Sequence, residues 1–178
     1  MLLINIPQTE LYVEVKNEFT FVKKQTLVLE HSLLSLSKWE SKWHKPFLSK
    51  KEKTDEETLD YIRCMIVNGA DENVMACISP DMIEQVNTYI QDSMTATTVP
   101  QDKSKSNRET VTAELIYYWM VALRIPFECQ KWHLNRLLTL IDVCSIKSQP
   151  PKKLSQRALL SRNASLNAAR RRALHSKG

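Results

Sequence analysis

Cys129 and His133 stand four residues apart, a spacing that on a helix brings two side chains to one face and could aim both at a metal ion. A zinc site needs two further ligands, and no nearby Cys/His pair supplies them. A core thiol beside a packed or surface histidine accounts for the pair without a metal. Asp55, Glu56, Glu57 and Asp60 form a second cluster that could be imagined as a carboxylate site. Thr54 with Glu57 three residues on is a capping-box signature, however, and acids in a first helical turn favour the helix dipole. No serine or cysteine carries a recognisable nucleophile motif, although triads need not be contiguous. Only two glycines occur, Gly69 and Gly178, so P-loop and Rossmann phosphate cradles are excluded. The expectation is a protein that is not an enzyme, with no catalytic residue, no metal ligand and no cofactor. Trp39, Trp43, Trp119 and Trp132 could stack on bases, but they lie in apolar helical stripes and read as core.

The elements that hold these residues are organised around positions 109–144. Leu115 to Leu123 is an unbroken apolar run between Glu114 and Arg124, far short of the roughly 20 residues needed to span a bilayer. Pro126 disfavours helix at the preceding residue, so the first helix stops by Ile125. Leu134, Leu137, Leu138, Ile141 and Cys144 then form the stripe of a second helix. The short connection favours an antiparallel hairpin, with Asn107 capping its first helix. Residues 2–30 alternate as strands: Leu11, Val13 and Val15 on one face, a turn at Asn17-Glu18, then Phe19, Phe21, Val22 and Thr26 to Leu29. Pro7 interrupts the first strand or places it at an edge. Ser32 caps a helix with Leu33, Leu36, Trp39 and Trp43 on its apolar face, ended by Pro46. Thr54 opens another, lined by Leu59, Ile62, Met65 and Ile66 and closed at Asn68-Gly69. Ser79-Pro80 opens a third, with Met82, Ile83, Val86 and Ile90 inward. Met94 to Val99 reads as a β-branched strand, and 100–107 as a polar loop. The fold class is α+β, predominantly helical, with a small N-terminal antiparallel sheet and a C-terminal basic helix.

Charge is unevenly spread. After Cys144 there are nine Lys/Arg and no acid, whereas the first 144 residues hold 16 basic groups against all 20 acids. A mildly acidic body thus carries a basic arm, which calls for an acidic partner, either nucleic acid or an acidic protein surface. The domain reading is 1–147 as a globular domain (sheet 2–30, helices 32–147), 148–153 as a linker around Gln149-Pro150-Pro151, and 154–178 as a basic helical arm. Leu159, Leu166 and Ala173 recur every seven residues on that arm. Such a helix is marginal alone and orders against a client or a second copy. The partner-binding candidates are Leu159, Leu166, Arg162, Arg170, Arg171 and Arg172. Cys64, Cys77, Cys129 and Cys144 never approach C-x-x-C spacing and read as reduced thiols. MLLINIPQTE has neither a basic n-region nor a long apolar run, so a cytosolic protein without signal peptide or membrane segment is expected.

Three stretches together carry a resemblance: LEHSLLSLSKWESKWHKPFL at 29–48, MTATT at 94–98, and ELIYYWMVALRIPFECQKWHLNRLLTLI at 114–141 followed by the NAARRRAL tail. They resemble a family of small tailed-bacteriophage proteins encoded among the tail genes, taken to be tail assembly chaperones. The resemblance implies a non-catalytic protein that binds the tape measure protein, keeps it soluble and helps the major tail-tube protein polymerise around it. It implies work in the host cytoplasm during assembly and absence from the mature virion. A structural virion component, such as a head–tail connector or tail-completion protein forming homo-oligomeric rings, is the alternative. Nucleic-acid binding by the arm is a second one, and would show steep salt dependence.

Overall fold

The computed structural model describes residues 1–13, 18–99, 110–148 and 156–175. The chain is α+β and mostly helical, and divides into two compact units, Met1–Ile146 and Lys147–Gly178.

The first unit opens with a two-stranded ribbon. β1 (Leu2–Ile6) pairs antiparallel with β4 (Gln25–Leu29), and β2 (Thr9–Val13) with β3 (Glu18–Val22). One register runs through both ladders, from Leu2 opposite Leu29 through Ile6 opposite Gln25 to Thr9 opposite Val22. The ladder breaks only at Pro7-Gln8, where proline has no N–H to donate, as the sequence suggested. The buried face changes there. Ile4 and Ile6 point inward from β1, but Leu11 is the β2 residue packed on the core, and Tyr12, Phe19 and Phe21 are exposed. An unbroken pleat would have put Tyr12 on the face of Ile4 and Ile6. Glu18, expected in a turn, begins β3 opposite Val13. Val15 and Asn17 lie outside the described residues.

Four helices begin on caps that satisfy their first free N–H groups. α1 (Leu33–Trp43) starts with a Ser32/Ser35 capping box and ends at His44, whose φ of 53° closes the helix before Pro46. α2 (Asp55–Met65) has the Thr54/Glu57 box predicted for it. It stops earlier than expected. Ile66 is already extended and bridges Leu29, and the Asn68 side chain accepts from Val28 N (2.8 Å) and donates to Thr26 O (2.8 Å). Residues 66–68 therefore cover the outer edge of β4, and Gly69 terminates nothing. A 3-10 turn at Glu72–Cys77 leads to α3 (Pro80–Gln91), capped by Ser79 with proline at its first turn. Residues 92–99 form no strand; the chain turns through Met94, whose φ of 50° is incompatible with a pleat. α4 (Ala113–Ala122) is capped by Thr112 and not by Asn107, which lies outside the described residues. A 3-10 turn at Phe127–Lys131 follows Pro126, and α5 (Leu134–Ser148) runs into the stretch expected as linker.

Two apolar clusters form the core, and α1 contributes to both. Trp39 joins Ile4, Ile6, Leu27, Leu29, Tyr61, Ile62, Met65 and Val86 in the first. Leu33 and Leu36 join Ile116, Met120, Leu134, Leu137 and Ile141 in the second. Each such side chain contributes roughly 2 kcal/mol on burial. α4 and α5 were expected to pair as a hairpin; they share the second cluster, but the helix that α4 runs closely beside is α1. The second unit holds α6 (Gln156–Leu174).

Candidate protein-binding surface

α6 reads QRALLSRNASLNAARRRAL, a sequence of strong helix formers without glycine, proline or acid. Every residue of it whose side chain is described is exposed. Leu159 is 42% and Leu166 47% accessible, and Leu160 and Leu174 exceed 70% or reach it. The six residues named from the sequence, Leu159, Leu166, Arg162, Arg170, Arg171 and Arg172, all lie on this one helix. Sequence reasoning named two of its four leucines as partner-binding residues and placed Leu160 only beside them. Leu160 and Leu174 fall off the seven-residue repeat, yet at ~100° per residue they lie on the same side as Leu159 and Leu166. A helical projection in place of a fixed interval would have added both to the surface.

The residues weighed for metal binding or chemistry take part in packing and hydrogen bonds. Cys129 sits in the 3-10 turn and His133 beyond it, so the two do not share a helix. Both are buried. Burial and the neighbouring Glu128 carboxylate raise the Cys129 thiol pKa, which keeps it protonated and unreactive. Among the described residues no group of three or more His, Cys, Asp or Glu could hold a metal ion. The four cysteines are free. Glu57 closes the α2 capping box, and hydrogen bonds from Lys45 and from Thr54 N hold its carboxyl below the usual range. Asp60 accepts from Lys42 Nζ and from Trp43 Nε1 (2.9 Å). Trp39 is fully buried, stacks on Trp43 and donates to Glu57 O at 2.9 Å. Trp43, Trp119 and Trp132 are half-buried against the two clusters or their rims.

Two buried polar constructions were not read from the sequence. Glu40 projects from α1 and accepts from Phe47 N (2.8 Å) through one oxygen and from Ala113 N (2.7 Å) through the other. It thereby supplies an acceptor to the N-terminal turn of α4, 73 residues away. His31 and His133 meet edge to face with ring centroids 5.1 Å apart. His31 Nδ1 is hydrogen-bonded to the Tyr61 hydroxyl at 2.5 Å, and His133 Nε2 donates to Tyr89 O at 3.0 Å. The Tyr89 hydroxyl donates to Glu30 at 2.7 Å. Leu134 N donates to His31 O (2.7 Å), and Ser32 bridges His133, so the pair pins the α1 entry to the α5 entry. Burial and His133 together push His31 down to about 3, and burial also lowers His133. Both are neutral near pH 7. No local motif marks either construction, because their members are far apart in the chain.

Apolar groups are also exposed on the first unit. α4 is apolar nearly all round, so Tyr118 and Val121 face outward while Ile116 and Met120 face the core. Among the described residues no helix is long and apolar enough to cross a membrane. No family model, curated protein or solved structure matches this chain.

Proposed function

We propose that this protein is a non-catalytic assembly chaperone of a bacteriophage tail, which binds the tape measure protein and assists polymerisation of the major tail-tube protein. The observation that carries the reading is α6. A helix with exposed leucines, five arginines and no acid is a surface suited to a second macromolecule. Its place in a compact unit of its own is compatible with one part of the chain holding a client while the other remains folded. The resemblance at 29–48, 94–98 and 114–141 supplies the identity of the client. The chaperone works in the host cytoplasm, without cofactor.

Mass spectrometry of purified virions beside infected-cell lysate tests this. Abundance in lysate with absence from virions, and co-purification with the tape measure protein, is the expected result. Stoichiometric presence in virions would overturn it and make the protein a structural component of the particle.

A further inference from the structure

The arrangement of charge around the α6 leucines says what kind of partner they meet. At about 100° per residue, Leu159, Leu160, Leu166 and Leu174 fall within an arc of roughly 120°. Arg162 borders that arc on one side and Arg171 on the other. Gln156, Asn163, Asn167 and Arg170 fall inside it. The leucines thus gather on one side of the helix, interspersed with those polar groups, and arginines stand at both of its borders, where paired helices exchange salt bridges.

We infer that α6 docks against an acidic amphipathic helix, one with an apolar stripe bordered by Asp or Glu. The inference rests on the chaperone reading for the partner's identity, and on α6 alone for its chemistry. Two other occupants fit less well. A second α6 would set arginine borders against arginine borders with no carboxylate on either helix, and like charges across such a seam destabilise it. Duplex nucleic acid would engage the arginines but leave four leucines in water, although phosphate contacts need no apolar stripe at all. An acidic helix satisfies both halves of the surface at once. The leucines bury against its stripe and the border arginines meet its carboxylates in exposed, salt-sensitive pairs.

The test uses the full chain and fluorescently labelled synthetic helices of four heptads with leucine at the seam positions. One helix carries Glu at the border positions and a second carries Gln there; duplex DNA is the third probe. The Glu helix is expected to bind about threefold more tightly than the Gln helix in low salt, with the advantage shrinking toward none at 1 M salt. Leu159→Ser with Leu166→Ser removes binding of both helices. Arg162→Gln with Arg171→Gln removes only the advantage of Glu, and far-UV circular dichroism confirms that each variant keeps its helix. Equal binding of the two helices, binding of neither, preference for DNA, or self-association through α6 that excludes the Glu helix would each overturn the inference. A chain that binds the Glu helix but resides in virions would sink the chaperone reading and leave this one standing.

Discussion

Burying two imidazoles against each other makes stability depend on pH in a defined direction. His31 is 2% exposed and its folded pKa is pushed down to about 3, against 6.5 for a free histidine. Above pH 6.5 the group is neutral whether folded or unfolded and contributes no pH dependence. Below it the unfolded chain takes up a proton that the folded chain refuses, so stability falls from pH 6.5 toward about 3. One such histidine gives a slope of about 1.4 kcal/mol per pH unit, hence roughly 2 kcal/mol between pH 6.5 and 5. His133 is lowered too and adds in the same direction. Urea unfolding at a series of pH values should show this loss above the range where carboxylates titrate, and His31→Gln should flatten it. An unchanged slope in that variant would mean other groups carry the dependence. Glu40 makes a second prediction at this scale. Its carboxylate holds two backbone N–H groups, and hydrogen bonds to a charged group contribute about 1.5–3 kcal/mol each. Glu40→Leu should cost at least about 3 kcal/mol in denaturant unfolding, and Glu40→Gln less, since one of its two positions still accepts.

Helices and strands were legible where the signal is local. Ser32, Thr54 and Ser79 each cap the helix they announce, because a cap bonds a backbone group three residues away. Pro7 breaks the ladder for a reason contained in the residue itself. Apart from the α4 cap, which Thr112 supplies where Asn107 was expected, the misses lie where a distant partner decides. The chain leaves α2 at Ile66 because β4 offers an open edge, and Asn68 side-chain groups pair with that edge where Asn68-Gly69 was expected to close the helix. MTATT has β-branched residues but no strand to join, and a strand without a partner has no ladder. The surface on α6 was visible because charge and leucine spacing sit in one segment, while Glu40–Ala113 and His31–His133 required the fold. α6 also yields a prediction of its own. Ala164→Pro removes a helical hydrogen bond and costs about 3 kcal/mol at mid-helix, more than an exposed helix is able to offset. Far-UV ellipticity should drop by part of one 19-residue helix while the cooperative melt of the first unit stays where it was. A lowered melting temperature would show that the two units support each other.

At the scale of the molecule, charge and core are divided between different parts of the chain. Both apolar clusters are built from residues 4–141, whereas positions 149–178 carry eight of the 25 Lys/Arg and none of the 20 acids. A chain ending at Ser148 would therefore keep every residue buried among those described and reverse the sign of the protein, from +5 to −3. Because stability follows burial and net charge acts on association, the two properties should separate cleanly in this truncation. The 1–148 chain is expected to unfold cooperatively within a few degrees of the full chain, since it keeps both apolar clusters. It should pass through a cation exchanger that retains the full chain at pH 7, and bind an anion exchanger instead. It should also lose the Glu-helix binding and the capacity to hold a client in solution. Calorimetry and co-expression with the tape measure protein measure the two halves of this prediction separately. A truncated chain that still solubilised the client would move the binding surface to the first unit, where the outward face of α4, with Tyr118 and Val121, is the next apolar surface to test.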